Sequence, residues 1–157
     1  MARKKRRMPR WLRWTLLAPA PLALFNLTVA FFGNSVVFPL SPFFLRNKAL
    51  ALAHYAWHRP HCLFQGHEPL GKHVARAEAK HHLPRGLLAA LIEVESNGRV
   101  HRISSAGAMG PAQLTPDTAR MMGVADAFDP AGGIDGSARY LAAQLAAFHD
   151  PKLALAA

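Results

Sequence analysis

Three times in its second half the chain sets a proline directly after a residue suited to capping a helix: Thr115-Pro116-Asp117, Asp129-Pro130 and Asp150-Pro151. Proline has no N–H and a fixed φ, so it suits the first helical turn, where that N–H would lack a partner anyway. A Thr or Asp just before it offers an oxygen to the free donors of the same turn. Leu83-Pro84 reads as a further start. Between these points apolar residues recur at steps of three and four: Leu88, Leu91, Ile92 and then position 95, and later Ile134, Ala138, Leu141, Leu145 and Phe148. That is the spacing of one buried helical face. Gly123 stops the short helix begun at Pro116, and a less periodic helix is expected over about Gly71 to His81. No stretch of this half alternates as a strand would. The fold class expected is all-α, with an irregular Gly- and Ser-rich connection from Asn97 to Gln113.

Charge divides the chain. All nine acidic residues lie between Glu68 and Asp150, and the segment from residue 67 onward balances them with nine Lys and Arg. The remaining ten basic residues fall in the first 66 positions, without an acid among them, and account for the formal net charge of +10. A nucleic-acid surface would need that excess clustered on the folded part. No nucleic-acid partner is therefore expected.

The first 45 residues read as a basic cytoplasmic tail and membrane anchor. MARKKRRMPRWLR carries seven basic residues, and no charge follows from Trp14 to Leu45. The longest proline-free piece of that run, Leu22 to Phe38, would rise about 26 Å as a helix, the lower limit for crossing a bilayer. Trp11 and Trp14 suit its border, and the cations should stay on the cytoplasmic side. The alternative is a secretory signal cleaved near Thr28-Val29-Ala30. Both readings put residues 67–157 outside the cytoplasm, in the periplasm. Residues 46–66 form a His-rich linker with His54, His58, His61 and Cys62, and His67 follows directly. Arg59-Pro60 is expected to interrupt any helix there, no acid balances the histidines, and no metal site or cofactor is expected. Cys62 has no internal disulfide partner.

The helix opened near Pro84 ends with two glutamates. At about 100° per residue, Glu95 falls about 40° from Leu91 on the apolar stripe, whereas Glu93 falls on the opposite face. An apolar wall penalises the charged carboxylate, so Glu95 is expected to hold its proton longer than Glu93. Periodicity alone leaves open that Glu95 is an ordinary polar residue at a helix terminus.

The residues around it carry more. Glu95-Ser96, Ser104, Gly107-Ala108-Met109-Gly110, Gln113, Pro116 and Thr118-Ala119 follow in an order and spacing that resembles the lytic transglycosylase family of the lysozyme superfamily. The likeness continues through Phe128-Asp129-Pro130, Ile134 and Tyr140-Leu141 to Leu153-Ala154-Leu155-Ala156-Ala157, and covers roughly Gly71 to Ala157. It implies a lysozyme-like helical domain acting on peptidoglycan glycan strands, where it would cleave the bond between N-acetylmuramic acid and N-acetylglucosamine. Glu95 matches the single catalytic acid/base, and the product would be a 1,6-anhydro sugar. Ser104 matches a serine near the glutamate, and Gln113 a glutamine lining the sugar groove. Gly107 and Gly110 would let the backbone approach the glycan or supply positive φ, and Tyr140 matches a further position beside the groove.

Three departures qualify the likeness. Gly110-Pro111-Ala112-Gln113 replaces the commoner Gly-Leu-Met-Gln, and Gly133 and Ser137 stand where asparagine and glycine are usual. The sequence stops at Ala157, before the family's Tyr-Asn-Ala-Gly, so the groove is expected to lack one wall. The alternatives are a catalytically impaired relative that binds glycan or serves as an envelope scaffold beside an unknown partner, and a hydrolase that uses water.

Overall fold

The computed structural model describes residues 18–62 and 68–156. Among them are seven helices: α1 (Ala20–Gly33), α2 (Leu45–Cys62), α3 (Leu70–Lys80), α4 (Leu87–Ser96), α5 (Pro116–Met121), α6 (Pro130–Phe148) and α7 (Pro151–Ala156). The described residues hold no strand beyond two isolated antiparallel bridges, Ile103 with Met109 and Met109 with Leu114. The all-α class is as expected.

The proline starts form by the chemistry that predicts them. Thr115 Oγ accepts from the N–H of Thr118 at 3.2 Å, and Asp129 Oδ2 from that of Gly132 at 2.8 Å. Asp150 Oδ1 accepts from the N–H of Lys152 at 2.7 Å. Helix α4 differs. It begins at Leu87, three residues after Pro84, and its N-cap Gly86 offers no side-chain cap. The cap comes from another helix: the buried Glu78 of α3 accepts from the N–H groups of Gly86, Leu88 and Ala89 at 3.0, 3.0 and 3.4 Å. A carboxylate there also complements the positive end of the α4 dipole.

Two apolar interiors lie on either side of the 101–114 connection. One joins Val74 and Ala77 of α3, Leu88 and Ile92 of α4, and Ile134, Ala138 and Leu141 of α6, with Ala112 reaching in from the connection. The other joins Val29 of α1 and Ala51 of α2 to Ile103, Met109, Leu114, Ala119 and Phe128. Leu145 only flanks the first interior, and Phe148, expected within it, is 44% exposed.

The second interior corrects the reading of the N-terminal third. Helix α1 has 14 residues, ends where Asn34 turns left-handed at φ 47°, and rises only about 21 Å. No described helix is long and apolar enough to cross a membrane. The seventeen-residue span expected from Leu22 to Phe38 is thus broken at Gly33, and its inner face is spent on protein: Asn26 and Val29 are fully buried. The carbonyl of Gly33 accepts from the N–H of Ile103 at 3.0 Å, tying the helix end to the central connection.

The expected linker also differs. Helix α2 runs through Pro60, whose missing N–H falls in the last turn. His58 is buried, its Nδ1 2.5 Å from Asp126 Oδ2, and its ring lies tilted against that of Phe128 with centroids 5.8 Å apart. Lys48 is fully buried, with Nζ donating to Asn26 Oδ1 at 2.8 Å, and burial pushes its ammonium below the usual 10.5. Arg46 pairs with Asp117 at the start of α5 at 3.1 Å. Residues 20–60 therefore share their interior with the part expected to fold separately. Trp11, Trp14, the basic run and His67 lie outside the described residues.

Candidate active site

A cleft of about 250 Å³ opens between the last turn of α4, the 112–118 segment, α6 and α7. It is lined by Glu95, Gln113, Thr115, Thr118, Ser137, Tyr140 and Gln144 among polar residues, and by Leu91, Ala112, Leu114, Leu141, Ala154 and Leu155 among apolar ones. Glu95 is the only carboxylate among them. Leu91 and Glu95, one helical turn apart, present the same side of α4 to the cleft, as the periodicity requires. Glu93 does not line it.

The expected burial of Glu95 is not found. Its side chain is exposed, as is that of Glu93. The reason is its place at the end of α4, where the chain turns away at Asn97 with φ 54° and leaves the carboxylate at the mouth of the cleft rather than against a closed wall. What separates the two glutamates is the groove, not their depth.

Ser96 fixes the end of α4. It is fully buried, and its hydroxyl contacts the carbonyls of Ile92 at 3.2 Å and Pro111 at 2.6 Å. This contact brings the residue after Glu95 against the residue two before Gln113. Gln113 itself sits at φ 50°, with Nε2 donating to the carbonyls of Gly110 at 2.7 Å and Arg102 at 3.3 Å. Both amide hydrogens are thereby engaged, which leaves its side-chain oxygen as the group available to the cleft.

The other expected residues play inner parts. Ser104 does not line the cleft; its Oγ accepts from the N–H groups of Ala106 at 3.2 Å and Ala108 at 3.0 Å and shapes the turn. Gly107 and Gly110 are buried with φ of 80° and 75°, so the positive-φ reading holds. Their bare sides face protein: a Cβ on Gly107 would stand 2.5 Å from the Asn47 carbonyl carbon, and one on Gly110 would stand 1.9 Å from the Ala127 oxygen. Tyr140 lines the cleft.

Ser137 and Gln144 were missed as cleft residues, although their spacing with Tyr140 and Leu141 along α6 marks one helical face. Ser137 is 4% exposed, so the atypical residue at this position lies at the cleft floor.

A short helix that presents one of its two acids to the cleft, an irregular bridged connection beside it and a long helix behind form an all-helical, lysozyme-like domain. Residues 72–157 match the transglycosylase SLT domain family, and the chain belongs to that family. Over 84 residues it is 38% identical to a transglycosylase of Enterobacteria phage PRD1, covering 54% of this chain and 32% of that protein. Over 71 residues it is 44% identical to membrane-bound lytic murein transglycosylase F 2 of Alkalilimnicola ehrlichii, covering 45% of this chain and 16% of that protein. The chain thus spans a third or less of these relatives' lengths. No solved structure gives a significant match.

Proposed function

We propose that the domain is a peptidoglycan lytic transglycosylase in which Glu95 acts first as general acid and then as general base. Protonated Glu95 gives its proton to the glycosidic oxygen as the bond from the anomeric carbon of N-acetylmuramic acid breaks. The resulting carboxylate takes the proton of the 6-hydroxyl as that oxygen attacks the same carbon. A 1,6-anhydro ring closes, a free 4-hydroxyl leaves on N-acetylglucosamine, and no water is consumed. The observation that carries this reading is that Glu95 is the single carboxylate among the described residues that line the cleft. Ordinary glycoside hydrolysis uses two carboxylates, one on each side of the scissile bond. A substrate that supplies its own nucleophile needs one.

A glycan seated in the cleft would cover Glu95 against Leu91 and Leu155 and exclude water from the reacting atoms. Gln113 would accept from a sugar hydroxyl or acetamido N–H, and Tyr140 and Gln144 would line the neighbouring subsite. Ser104, Gly107 and Gly110 act from behind by holding the connection that carries Gln113. The same reading puts the domain in the periplasm, where the glycan strands lie; a relative named as membrane-bound supports an envelope location.

The test is mass spectrometry of soluble fragments from purified peptidoglycan. Anhydro-muropeptides, each lighter by one water than the hydrolytic product, are expected. Glu95→Gln should lower their release on the order of a hundredfold or more, and Glu93→Gln should leave it within about twofold. Reducing-end muropeptides alone would make the protein a hydrolase, and equal losses from both variants would remove Glu95 from its role.

A further inference from the structure

We infer that α1 and the segment after it form an interfacial membrane-docking face that lies in the plane of an anionic bilayer. The inner stripe of α1, with Asn26 and Val29, is buried. Its outer stripe is also apolar: Leu24, Leu27 and Phe31, at steps of three and four, are 67%, 52% and 80% exposed. A helix lying on a water-facing surface carries polar residues there. The exposure continues beyond the helix, with Val36 at 96%, Phe38 at 70% and Phe43 at 69%. Single exposed apolar residues are ordinary; a continuous run without a charge marks a contact surface.

Asn26 and Thr28 of this region bond within the protein, while the buried Ser35 Oγ has no partner. Asn26 Nδ2 donates to the carbonyls of Leu22, Pro39 and Ser41 at 3.1, 2.9 and 3.0 Å, folding the later segment back beside the helix. Its Oδ1 accepts from Lys48, so that this cation is held inward. Thr28 Oγ1 donates to the Leu24 carbonyl at 2.8 Å. Backbone carbonyls bonded in this way can leave water without an unpaired acceptor, the condition for irregular chain at membrane depth.

Charge selects the occupant. The uncharged stretch is preceded by seven basic residues in the first thirteen positions, and the first 66 contain no acid. Such a pairing of apolar insertion with a polybasic run is the two-signal attachment that anionic lipid stabilises. A second copy would bring the same positive run to the contact and repel it. No residue of α1 or α2 lines the Glu95 cleft, so docking leaves that cleft open. The inference is independent of the reaction assigned to Glu95.

The test uses the full chain and vesicles of phosphatidylcholine with or without phosphatidylglycerol. Flotation should recover the protein with the anionic vesicles, and alkaline carbonate should release it. The triple substitution Phe31→Ser, Phe38→Ser, Phe43→Ser, at exposed positions, should keep its circular dichroism while vesicle affinity falls about tenfold or more. Equal affinity for neutral vesicles removes the role of charge and overturns the inference. So does a triple variant that floats like the parent, retention after carbonate treatment, or a dimer that the triple substitution dissociates in place of any vesicle binding.

Discussion

Replacing Glu78 by alanine tests whether the helix that carries Glu95 is capped from outside itself. The carboxylate is 7% exposed and accepts from three N–H groups at the start of α4, a helix whose own N-cap residue is a glycine. Truncation leaves the N–H of the fully buried Leu88 without a partner and removes a negative charge from the positive end of the helix. Loss of a side-chain cap costs about 0.5–2 kcal/mol, and a hydrogen bond to a charged group is worth about 1.5–3 kcal/mol. These terms overlap, and relief of the buried charge offsets part of them. A net loss of about 3 kcal/mol is expected, a large part of a stability of about 5–15 kcal/mol. For a chain of this length that corresponds to a midpoint lower by about 6–12 °C. Urea titration and thermal melting followed by circular dichroism measure both. Glu78→Gln, which keeps one acceptor oxygen, should lose roughly half as much. A Glu78→Ala variant within about 0.5 kcal/mol of the parent would refute the capping role.

Three further outcomes follow from single contacts. Gly110→Ala sets a Cβ 1.9 Å from the Ala127 oxygen at φ 75°, so backbone must move, and a loss of at least about 3 kcal/mol is expected in urea titration. Lys48 is held below 10.5 by burial, so the unfolded chain binds the extra proton over the range just below that value. Stability should therefore rise with pH there, and Lys48→Met should flatten the rise in melts across alkaline buffers. For Asp135, burial raises the carboxyl but hydrogen bonds and charge from Lys80 and His81 outweigh it, leaving it below 3.8. Its contribution is complete above the unfolded value and lost as pH falls through the folded one, so Asp135→Asn should shrink the destabilisation seen in acid below about pH 4.

Local chemistry determined what the sequence by itself reveals. A cap and its proline act within one turn, so the starts at Pro116, Pro130 and Pro151 were readable, and the helical angle put Glu95 on the face of Leu91. Contacts between distant segments were not readable. Glu78 caps α4 across a turn that only the packing of α3 on α4 creates, and Ser96 finds Pro111 only once the connection has folded. The openness of Glu95 depends on where α4 ends relative to α6 and α7, which periodicity does not state. The largest revision concerns residues 20–60. Apolar character measures how strongly a segment leaves water, and protein interior and bilayer satisfy it alike. Only the tertiary structure shows that one face of α1 meets Ile103 while the other stays exposed among the described residues, because burial is a property of neighbours rather than of the chain.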